Sequence, residues 1–329
     1  MSRMFRAFIT LSLAGILIWS SVLGKKAKAS RSTEEKDVSR AISQKYFCRE
    51  LDEKGILMVA SLDVGQGDSV VVRAPGGKTL LIDGGPRGNG KYLKNAGEKD
   101  VIPFLNSLGI ERIDVIVSTH QDNDHLGGLI PVICQMDVGC VYDNGNMHVS
   151  YTYESYLNAL DKKKIPVKIV TCGDRIDLGN GVHLQVLSQL GGTEFEGNEN
   201  SIVLKLVYGD VSMLFTGDIE EKAERALICS WGKNLRSNIL KVPHHGSKSS
   251  SSWWFLDIVQ PETALISVGR RNPFGHPAKE VLNRLEASDN SVFRTDVHGN
   301  IAVFCNGKTY SVSMEKGSPI ALSIQSLVD

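Results

Sequence analysis

Several common signatures are missing from this 329-residue sequence. Its six cysteines form no C-x-x-C pair, which argues against a cysteine-ligated metal site. No internal repeat is evident, which excludes a solenoid or a repeat array. The formal net charge is zero at pH 7, and nothing in that balance calls for a polyanionic partner. The hydrophobic content of 42% is that of a packed globular protein rather than a disordered chain.

The first 29 residues differ from the rest of the chain. Arg3 and Arg6 precede an apolar run from Ala7 to Leu23, and an A-x-A pattern ends at Ala29. This layout predicts a signal peptide, residues 1–29, that is cleaved after Ala29. An uncleaved membrane anchor is the alternative, because the 17-residue run approaches the roughly 20 residues of a spanning helix. Both interpretations predict an exported protein, periplasmic, secreted or tethered, that meets a membrane only through this segment.

The body that follows the leader is acidic and contains all the cysteines. The leader has five of the 37 basic residues and none of the 37 acidic ones, which leaves 32 basic against 37 acidic residues. An even number of cysteines in an oxidising compartment permits up to three disulfides, and the sequence leaves their pairing open. The cysteines are Cys48, Cys134, Cys140, Cys172, Cys229 and Cys305.

Residues 30–54 are rich in charge and have little periodicity, and we interpret them as a linker. Short β-branched runs then alternate with glycine turns and helical patterns, which predicts one domain over residues 55–315 and a tail over 316–329. We expect an α/β fold of the α+β kind, an αββα sandwich of two mixed β-sheets flanked by helices. The run KIPVKIVT, residues 164–171, is one of the predicted buried strands.

Polar residues occur where predicted strands end. Because strand ends meet at one edge of a sheet, this agreement predicts a single site built from distant parts of the sequence. The residues are Asp63, Asp83, His120, Asp218 and the pair His244–His245.

The stretch STHQDNDHLGG, residues 118–128, places two histidines and two aspartates within six positions. Imidazole nitrogens and carboxylate oxygens together suit Zn²⁺, Mn²⁺ or Fe²⁺, so His120, Asp122, Asp124 and His125 are candidate ligands. An Asx-rich helix N-terminus would explain one aspartate but not both histidines. The glycines that close the stretch are expected to let the backbone pass close to bound ions.

Two shorter motifs complete the constellation. LFTGD presents Asp218, whose carboxylate can bridge two cations, although an aspartate after glycine is also an ordinary helix N-cap. KVPHHGS adds His244 and His245, so four of the eight histidines lie in the two clusters.

These motifs resemble those of the metallo-β-lactamase-fold hydrolases, and more closely the soluble hydrolase domain of the ComEC family of competence DNA-uptake proteins. The resemblance covers about residues 55–305 and includes DVGQGDSVVVRAPGGKTLLIDGG, STHQDNDHLGGL, NSIVLKLVYGDVSMLFTGD, LKVPHHGS and TDVHGNIAVF, in that order. The multi-pass channel segments of that family are not represented in the sequence.

The resemblance implies two divalent metal ions, Zn²⁺ or Mn²⁺, with Mg²⁺ as a further option. The last metal ligand is implied to be one of the paired histidines; we favour His245, with His244 bonded to the substrate or leaving group, and the reverse assignment stays open. Residues implied to hold metal are His120 and Asp122 at the first position, Asp124 and His125 at the second, and the bridging Asp218. Residues implied to orient the ligands or line the site are Asp63, Asp68, Asp83 and Ser247.

The sequence departs from the wider fold family in two ways. Where many members have H-x-H-x-D-H, this chain has Asp122, a harder ligand that favours Mn²⁺ or Mg²⁺ relative to Zn²⁺. The histidine expected before the bridging aspartate is replaced by GNENS, residues 197–201, where Asn198 or Asn200 could offer an amide oxygen. The ComEC-like proteins share this second feature.

The implied chemistry is hydrolysis by a metal-activated water, with Asp124 and His244 in the catalytic roles. We favour a phosphodiester substrate, as for a nuclease or phosphodiesterase, because the oxygen-rich ligands and the ComEC resemblance both indicate it. DNA is one such substrate, and Arg270–Arg271, Lys248 and Trp253–Trp254 are candidate contacts. A solvated basic turn and half-buried tryptophan packing are the structural alternatives.

Two other hypotheses are a hydrolase of another exported substrate, such as a phosphorylcholine ester or a lactone, and a non-catalytic DNA-binding or surface-binding protein on the same fold. The complete set of ligand residues argues against the non-catalytic hypothesis. For His276 and His298 we favour structural roles over positions at the edge of the site. No protein partner is inferred.

Overall fold

The computed structural model describes residues 47–88, 94–188 and 195–316. The predicted leader, residues 30–46 of the predicted linker and residues 317–329 of the predicted tail lie outside this part. Residues 47–53, which the sequence assigned to the linker, are helical (α1). Leu51 is fully buried there, and Asp52 pairs with Arg73 at 2.7 Å. Helix α1 thus packs on the domain, although the sequence pattern assigned these residues to the linker.

Fifteen strands form two mixed sheets in the described residues. They are β1 Leu57–Ser61, β2 Val70–Arg73, β3 Thr79–Ile82, β4 Arg112–Ser118, β5 Asp137–Asp143, β6 Val167–Ile169, β7 Arg175–Gly179, β8 Val182–Val186, β9 Leu204–Tyr208, β10 Val211–Phe215, β11 Ile239–Lys241, β12 Thr263–Ile266, β13 Ser291–Arg294, β14 Ile301–Cys305 and β15 Tyr310–Met314. The first sheet has the order β15-β14-β1-β2-β3-β4-β5-β6, and the second β13-β12-β11-β10-β9-β8-β7. Strands β3 to β6 and β10 to β13 run parallel, and the other pairs are antiparallel.

Helices flank the two sheets. They are α2 Ile102–Ser107, α3 Asn123–Leu126, α4 Leu129–Gln135, α5 Tyr151–Lys163, α6 Glu221–Trp231, α7 Trp253–Val259, α8 Lys279–Ala287 and α9 Thr295–His298. A π-helical turn covers Gly97–Val101, and 3₁₀ turns cover Gly197–Asn200, Gly232–Leu235 and Pro243–Gly246. The predicted αββα class is confirmed.

The larger apolar core lies between the sheets. Val59 and Val72 of the first sheet belong to the same buried cluster as Leu184 and Leu206 of the second. Every residue of β2 and β3 is buried. Strands covered on both faces have near-continuous apolar sequences, as TLLI shows. A second cluster joins α6, α7 and α8 to the outer face of the second sheet, so the strand ends that hold the polar residues are fixed from both sides.

Three details differ from the sequence-based expectation. The predicted buried strand in KIPVKIVT is wrong in one respect: all three residues of β6 are exposed, because β6 is an edge strand of the first sheet. The six cysteines, all within the described residues, are free thiols, so none of the permitted disulfides is formed. Strands β5 and β7 and helix α5 were not predicted from the sequence. Among the described helices, none combines the length and the apolar character that crossing a membrane requires.

Candidate metal centre

The polar strand ends of both sheets meet at one place. Asp83 follows β3 and His120 follows β4 in the first sheet, while Asp218 follows β10 and His245 follows β11 in the second. Within each sheet the two strands run in parallel, β3 beside β4 and β10 beside β11. Their carboxyl ends therefore point the same way, which brings residues far apart in sequence into one polar cluster.

Four of the predicted metal ligands form a tight group. The ligand atoms of Asp124, His125, Asp218 and His245 all lie within 4.8 Å of one another. Asp218 Oδ2 is 3.2 Å from His125 Nε2 and 3.3 Å from His245 Nε2. Asp124 Oδ2 is 3.3 Å from His245 Nε2. We name these four residues the ligand cluster.

The outward nitrogen of each cluster histidine is held by the protein. His125 Nδ1 donates to Asp83 Oδ2 at 2.9 Å, and Asp83 in turn accepts from the backbone N–H of Thr119 at 2.8 Å and from its hydroxyl at 2.6 Å. His245 Nδ1 donates to the carbonyl oxygen of Ser267 at 3.0 Å. These bonds fix both rings with Nε2 directed into the ligand cluster, which is how outer partners orient a metal-binding histidine.

The inward atoms fit metal ions. Within the described residues, the buried Nε2 atoms of His120, His125 and His245 have no hydrogen-bond partner, and neither has Asp218 Oδ1. Buried polar atoms are nearly always paired, so four unpaired ones at a single place require an explanation. Imidazole nitrogens and carboxylate oxygens are ligands of divalent transition metals, and bound ions would be the missing partners of these atoms.

The charges of the cluster also favour a cation. Burial alone would lower the pKa of His125, but Asp218 and Asp83 raise it well above its ordinary value. Burial likewise opposes the shift in His245, whose pKa Asp218 and Asp68 raise. For Asp218, burial would raise the pKa, yet the two histidines bring it well below its usual range. The negative field that favours protons on these histidines would equally favour a divalent cation.

A buried ion pair lies behind His245. Lys241 Nζ is 2.8 Å from Asp68 Oδ2, and both side chains are buried. Asp68 Oδ1 is 3.3 Å from His245 Nδ1. Burial would raise the pKa of Asp68, but Lys241 and then His245 hold it far below its usual value. Asp68, predicted to line the site, therefore supports His245 from the side opposite the cluster.

His120 and Asp122 stand beside the cluster. The rings of His120 and His125 have centroids 4.1 Å apart, and His120 Nε2 is 3.8 Å from Asp122 Oδ2. His120 Nδ1 contacts the hydroxyls of Thr119 at 3.1 Å and Ser201 at 3.4 Å. Burial, followed by the charge on His125, lowers the pKa of His120. Together His120 and Asp122 offer a second set of donors next to the first.

The paired histidines occupy different positions. His245 is buried within the cluster, whereas the side chain of His244 is 21% exposed. His244 Nε2 lies 3.8 Å from Asp218 Oδ2 and 3.4 Å from the amide nitrogen of Asn198. His244 Nδ1 is 3.0 Å from Glu220 Oε1 but out of line for a hydrogen bond. His244 thus faces the opening of the site.

The remaining predicted residues are placed less centrally. The amide nitrogen of Asn200 donates to the carbonyl oxygen of Phe195, while its Oδ1 is buried without a partner. The hydroxyl of Ser247 bonds that of Ser249 at 2.9 Å, and the Ser247 backbone N–H donates to His244 O at 2.8 Å. Ser247 therefore shapes the turn that holds the histidines.

Asp63 lies apart from the ligand cluster. Its backbone N–H donates to Asn300 Oδ1 at 2.8 Å, and its carboxylate is 4.0 Å from Lys316 Nζ. Burial raises its pKa. Neither contact is with a ligand residue, whereas Asp83 contacts His125 directly, so the two early aspartates have different roles.

Sequence reasoning missed several supporting residues. Ser201 Oγ accepts from the Asp218 backbone N–H at 3.1 Å and donates to the Asn198 carbonyl oxygen at 2.7 Å. Thr119 and Ser201 sit inside motifs that were recognised, so their adjacency to ligands was an available signal. Lys241 also lies inside a recognised motif, KVPHHGS, whereas Ser267 and Glu220 gave no such signal. His276 also borders the site, with its ring centroid 5.6 Å from that of His244, while His298 bonds the backbone of Arg294.

The glycines after His125 serve close backbone packing. A Cβ atom on Gly128 would lie 1.7 Å from the carbonyl oxygen of Gly84. The Gly128 N–H donates to Gly85 O at 2.7 Å, and the Gly84 N–H to His125 O at 2.8 Å. The expectation that these glycines approach the ions is corrected, because their neighbour is the backbone after β3.

Comparisons with known proteins identify the family to which the sequence is similar. The family profile described as the Metallo-beta-lactamase superfamily matches residues 62–270. ComE operon protein 3 of Bacillus subtilis (strain 168) is 32% identical over 252 residues, which cover 74% of this chain and 32% of that protein. Competence protein ComA of Neisseria gonorrhoeae is 34% identical over 237 residues, covering 72% of this chain and 30% of that protein. The chain thus spans about a third of the length of these relatives.

A solved structure, the metallo-beta-lactamase fold protein YhfI from Bacillus subtilis, is 10% identical with a TM-score of 0.47, covering 72% of this chain and 95% of that one. The resemblance drawn from the motifs is confirmed by the family profile, which matches more than half of the sequence. The chain belongs to the metallo-β-lactamase superfamily.

Proposed function

We propose that this protein is an exported, metal-dependent phosphodiesterase that hydrolyses nucleic acid. The observation that carries the proposal is the ligand cluster, in which donor atoms from both sheets converge within 4.8 Å. The inward nitrogens of His125 and His245 and the Oδ1 atom of Asp218 have no hydrogen-bond partner there. A site with oriented, unpaired and buried donors suits metal-assisted hydrolysis. The leader pattern in the sequence supports export.

Divalent cations in this site would act as Lewis acids toward a water molecule and a phosphoryl oxygen. Asp218 is suited to bridge two ions, because its Oδ2 faces both cluster histidines while its Oδ1 is unpaired. His120 and Asp122 would complete one position, and Asp124, His125 and His245 the other. Asp83 and the Ser267 carbonyl would keep the inward nitrogens of His125 and His245 aimed at their ion.

His244 is placed to assist the leaving oxygen. It is partly exposed at the opening, with Nε2 near Asp218 and Asn198 and Nδ1 beside Glu220. A partly exposed imidazole at the opening can donate a hydrogen bond or a proton to an oxygen as its bond to phosphorus breaks. The Asn198 amide offers a second donor at the same place.

A phosphodiester fits the site better than a lactone does. Three carboxylates, those of Asp122, Asp124 and Asp218, make the donor set oxygen-rich and suit hard ions such as Mn²⁺ and Mg²⁺. Exposed cations follow the strand ends nearby, Lys248 after the paired histidines and Arg270 and Arg271 after β12. Cations at an opening favour a polyanion. One relative is named a competence protein, and the ComEC resemblance implies DNA.

The test uses the purified protein without its leader, supplied with Mn²⁺ or Zn²⁺. The substrates are single-stranded DNA, double-stranded DNA and a simple aryl phosphodiester. We expect cleavage of nucleic acid, and loss of that cleavage in Asp124→Ala. Asp161→Ala is the matched control, because it removes an exposed aspartate on α5 and should keep full activity.

The outcomes separate the hypotheses. Cleavage of the aryl phosphodiester alone would contradict the nuclease proposal and favour the hypothesis of a hydrolase that acts on another exported substrate. Failure to take up metal, measured by titration calorimetry, would contradict any metal-dependent activity and leave the non-catalytic hypothesis.

A further inference from the structure

An exposed aromatic ring stands next to the ligand cluster. Phe274 is 66% exposed, and its ring stacks on that of His276 with a centroid distance of 5.7 Å and an angle of 28°. The His276 ring lies 5.6 Å from His244 and 6.4 Å from His245, again between centroids. One histidine ring therefore separates Phe274 from the proposed metal site.

The loop that presents Phe274 is braced by one side chain. The Asn272 amide nitrogen donates to the carbonyl oxygens of Gly269 at 3.0 Å and His276 at 2.7 Å. Asn272 Oδ1 accepts from the backbone N–H groups of Phe274 at 3.1 Å and His276 at 3.0 Å. These four hydrogen bonds from one side chain brace the backbone on both sides of Phe274.

The loop is also tied to the turn that contains the paired histidines. A Cβ atom on Gly246 would lie 2.6 Å from Cβ of Pro277, and the Ala278 N–H donates to the Gly246 carbonyl oxygen at 2.8 Å. The two segments therefore pass in direct contact. Phe274 and His244 are thus positioned by the same local framework.

The open face of Phe274 suits a nucleobase. One face is covered by His276, and the high exposure leaves the other face to solvent. Arg270 and Arg271 are exposed on the same loop, within four residues of Phe274 in sequence. Aromatic rings beside cations bind unpaired nucleotides by stacking on bases and pairing with phosphates.

Other exposed aromatics are less well placed. The guanidinium of Arg87 lies over the Tyr151 ring at 4.4 Å and covers one of its faces. Trp253 and Trp254 are exposed at 55% and 71%, but among the described residues no ring contact connects them to the ligand cluster. Phe274 is the ring that connects to His245 of the ligand cluster through His276.

We infer that Phe274 stacks on the base of a nucleotide adjacent to the bond that is cleaved. The ring thereby determines specificity, because it favours unpaired nucleotides over duplexes, whose bases already stack on each other. This inference rests on the proposed nuclease function and deepens it by assigning the class of substrate.

The test compares the protein with Phe274→Ala, Phe274→Trp and the control Ile169→Ala. Ile169 is 57% exposed on the edge strand β6, two strands from β4, so its truncation removes exposed apolar surface from an element that contains no candidate ligand. The substrate is a single-stranded oligonucleotide with one cleavable linkage, the other linkages being methylphosphonates. A second substrate has abasic residues on both sides of that linkage.

We expect Phe274→Ala to lower kcat/KM on the normal oligonucleotide by about ten-fold, within the range for the loss of one stacked base. Phe274→Trp should restore the rate, and Ile169→Ala should leave it unchanged. On the abasic substrate the unmodified protein should itself be slower by about ten-fold, and Phe274→Ala should add no further loss, because the two changes remove the same contact.

Additive losses from the variant and the abasic substrate would overturn the inference and show that Phe274 only supports the loop. An unchanged rate for Phe274→Ala on the normal oligonucleotide would also overturn it, while leaving the nuclease function standing. If the unmodified protein cleaves neither oligonucleotide, the nuclease proposal itself fails. Thermal unfolding of each variant checks that the fold is retained.

Discussion

The first sheet supplies its share of the centre from one turn, residues 120–125, directly after β4. The second sheet supplies Asp218 after β10 and His245 after β11, from segments separated by a helix. In the first case local spacing brings the donors together, and the backbone is an ordinary helix start at α3. In the second case only the pairing of β10 with β11 does so. Two members of the ligand cluster, Asp124 and His125, are thus neighbours in sequence, whereas Asp218 and His245 are brought together by strand pairing.

The two regions also differ in backbone conformation. His244 and His245 have φ values of 48° and 53°, in the left-handed region that non-glycine residues seldom adopt. This conformation separates the neighbouring side chains, so that His245 points into the cluster and His244 to the opening. Unusual backbone conformation is often retained where a site requires it. The second sheet therefore decides the roles of its donors by backbone geometry, which the sequence does not display.

The largest effect is expected from removing His245. His245→Ala should abolish metal uptake at the cluster and lower kcat/KM by about 10³-fold or more, because the Lewis acid is lost. His244→Ala should retain metal and lower kcat by about 10²-fold, the usual contribution of an acid that assists a leaving group. Titration calorimetry and hydrolysis rates measure the two effects.

The same two variants would reveal a reversal of the roles of His244 and His245. Loss of metal in His244→Ala together with retained metal in His245→Ala would make His244 the ligand. Because His245 is buried, circular dichroism must show that His245→Ala is folded, and His245→Asn provides a polar replacement if it is not.

The next largest effect, on metal affinity, is expected from changing Asp83, which supports His125. Asp83→Asn should lower metal affinity by about 10- to 100-fold, because a weaker partner at His125 Nδ1 no longer fixes the ring. Asp63→Asn is the matched control, since the contacts of Asp63 are with Asn300 and Lys316. Equal losses in the two variants would contradict the different placement of these aspartates.

A smaller effect should follow from crowding the backbone between β3 and α4. Gly128→Ala should lower the free energy of unfolding by about 2 kcal/mol, because the added methyl group would press on the Gly84 carbonyl. Gly109→Ala adds a methyl group that meets no atom within 4 Å and should cost only about 1 kcal/mol, from its positive φ. Urea unfolding measures the loss of stability in both variants. Equal losses would argue against a specific close approach of Gly128 to the Gly84 carbonyl.

The smallest effect, on stability alone, is expected from removing the ion pair between Asp52 of α1 and Arg73 of β2. Burial would raise the pKa of Asp52, but its hydrogen bond with Arg73 lowers it below the ordinary value. The pair therefore stabilises the fold above the unfolded pKa of about 3.9, and this contribution is lost as pH falls through the folded pKa. Asp52→Asn should cost about 1 kcal/mol at pH 7 and less at pH 3, with unchanged metal affinity. An unchanged stability at pH 7 would place α1 outside the cooperative unit.

Much of the fold was readable from local patterns. Runs such as TLLI and VSMLF became buried strands because β-branched and large apolar residues fit a sheet covered on both faces. The exposed edge position of β6 was missed, because Val167 and Ile169 suggested a buried strand and only the charged Lys168 indicated an edge. The order of the strands within the sheets likewise depends on pairings between residues distant in sequence.

The residue types at each strand end, and therefore the donors available to a metal site, follow from the sequence. The placement of His245 in the cluster and of His244 at its opening follows from the folded structure. So do the support of His125 by Asp83 rather than Asp63 and the contact of Phe274 with His276 beside the site. Spacing along the chain fixes which residues share a turn, whereas distances between separate turns depend on sheet register and on backbone angles.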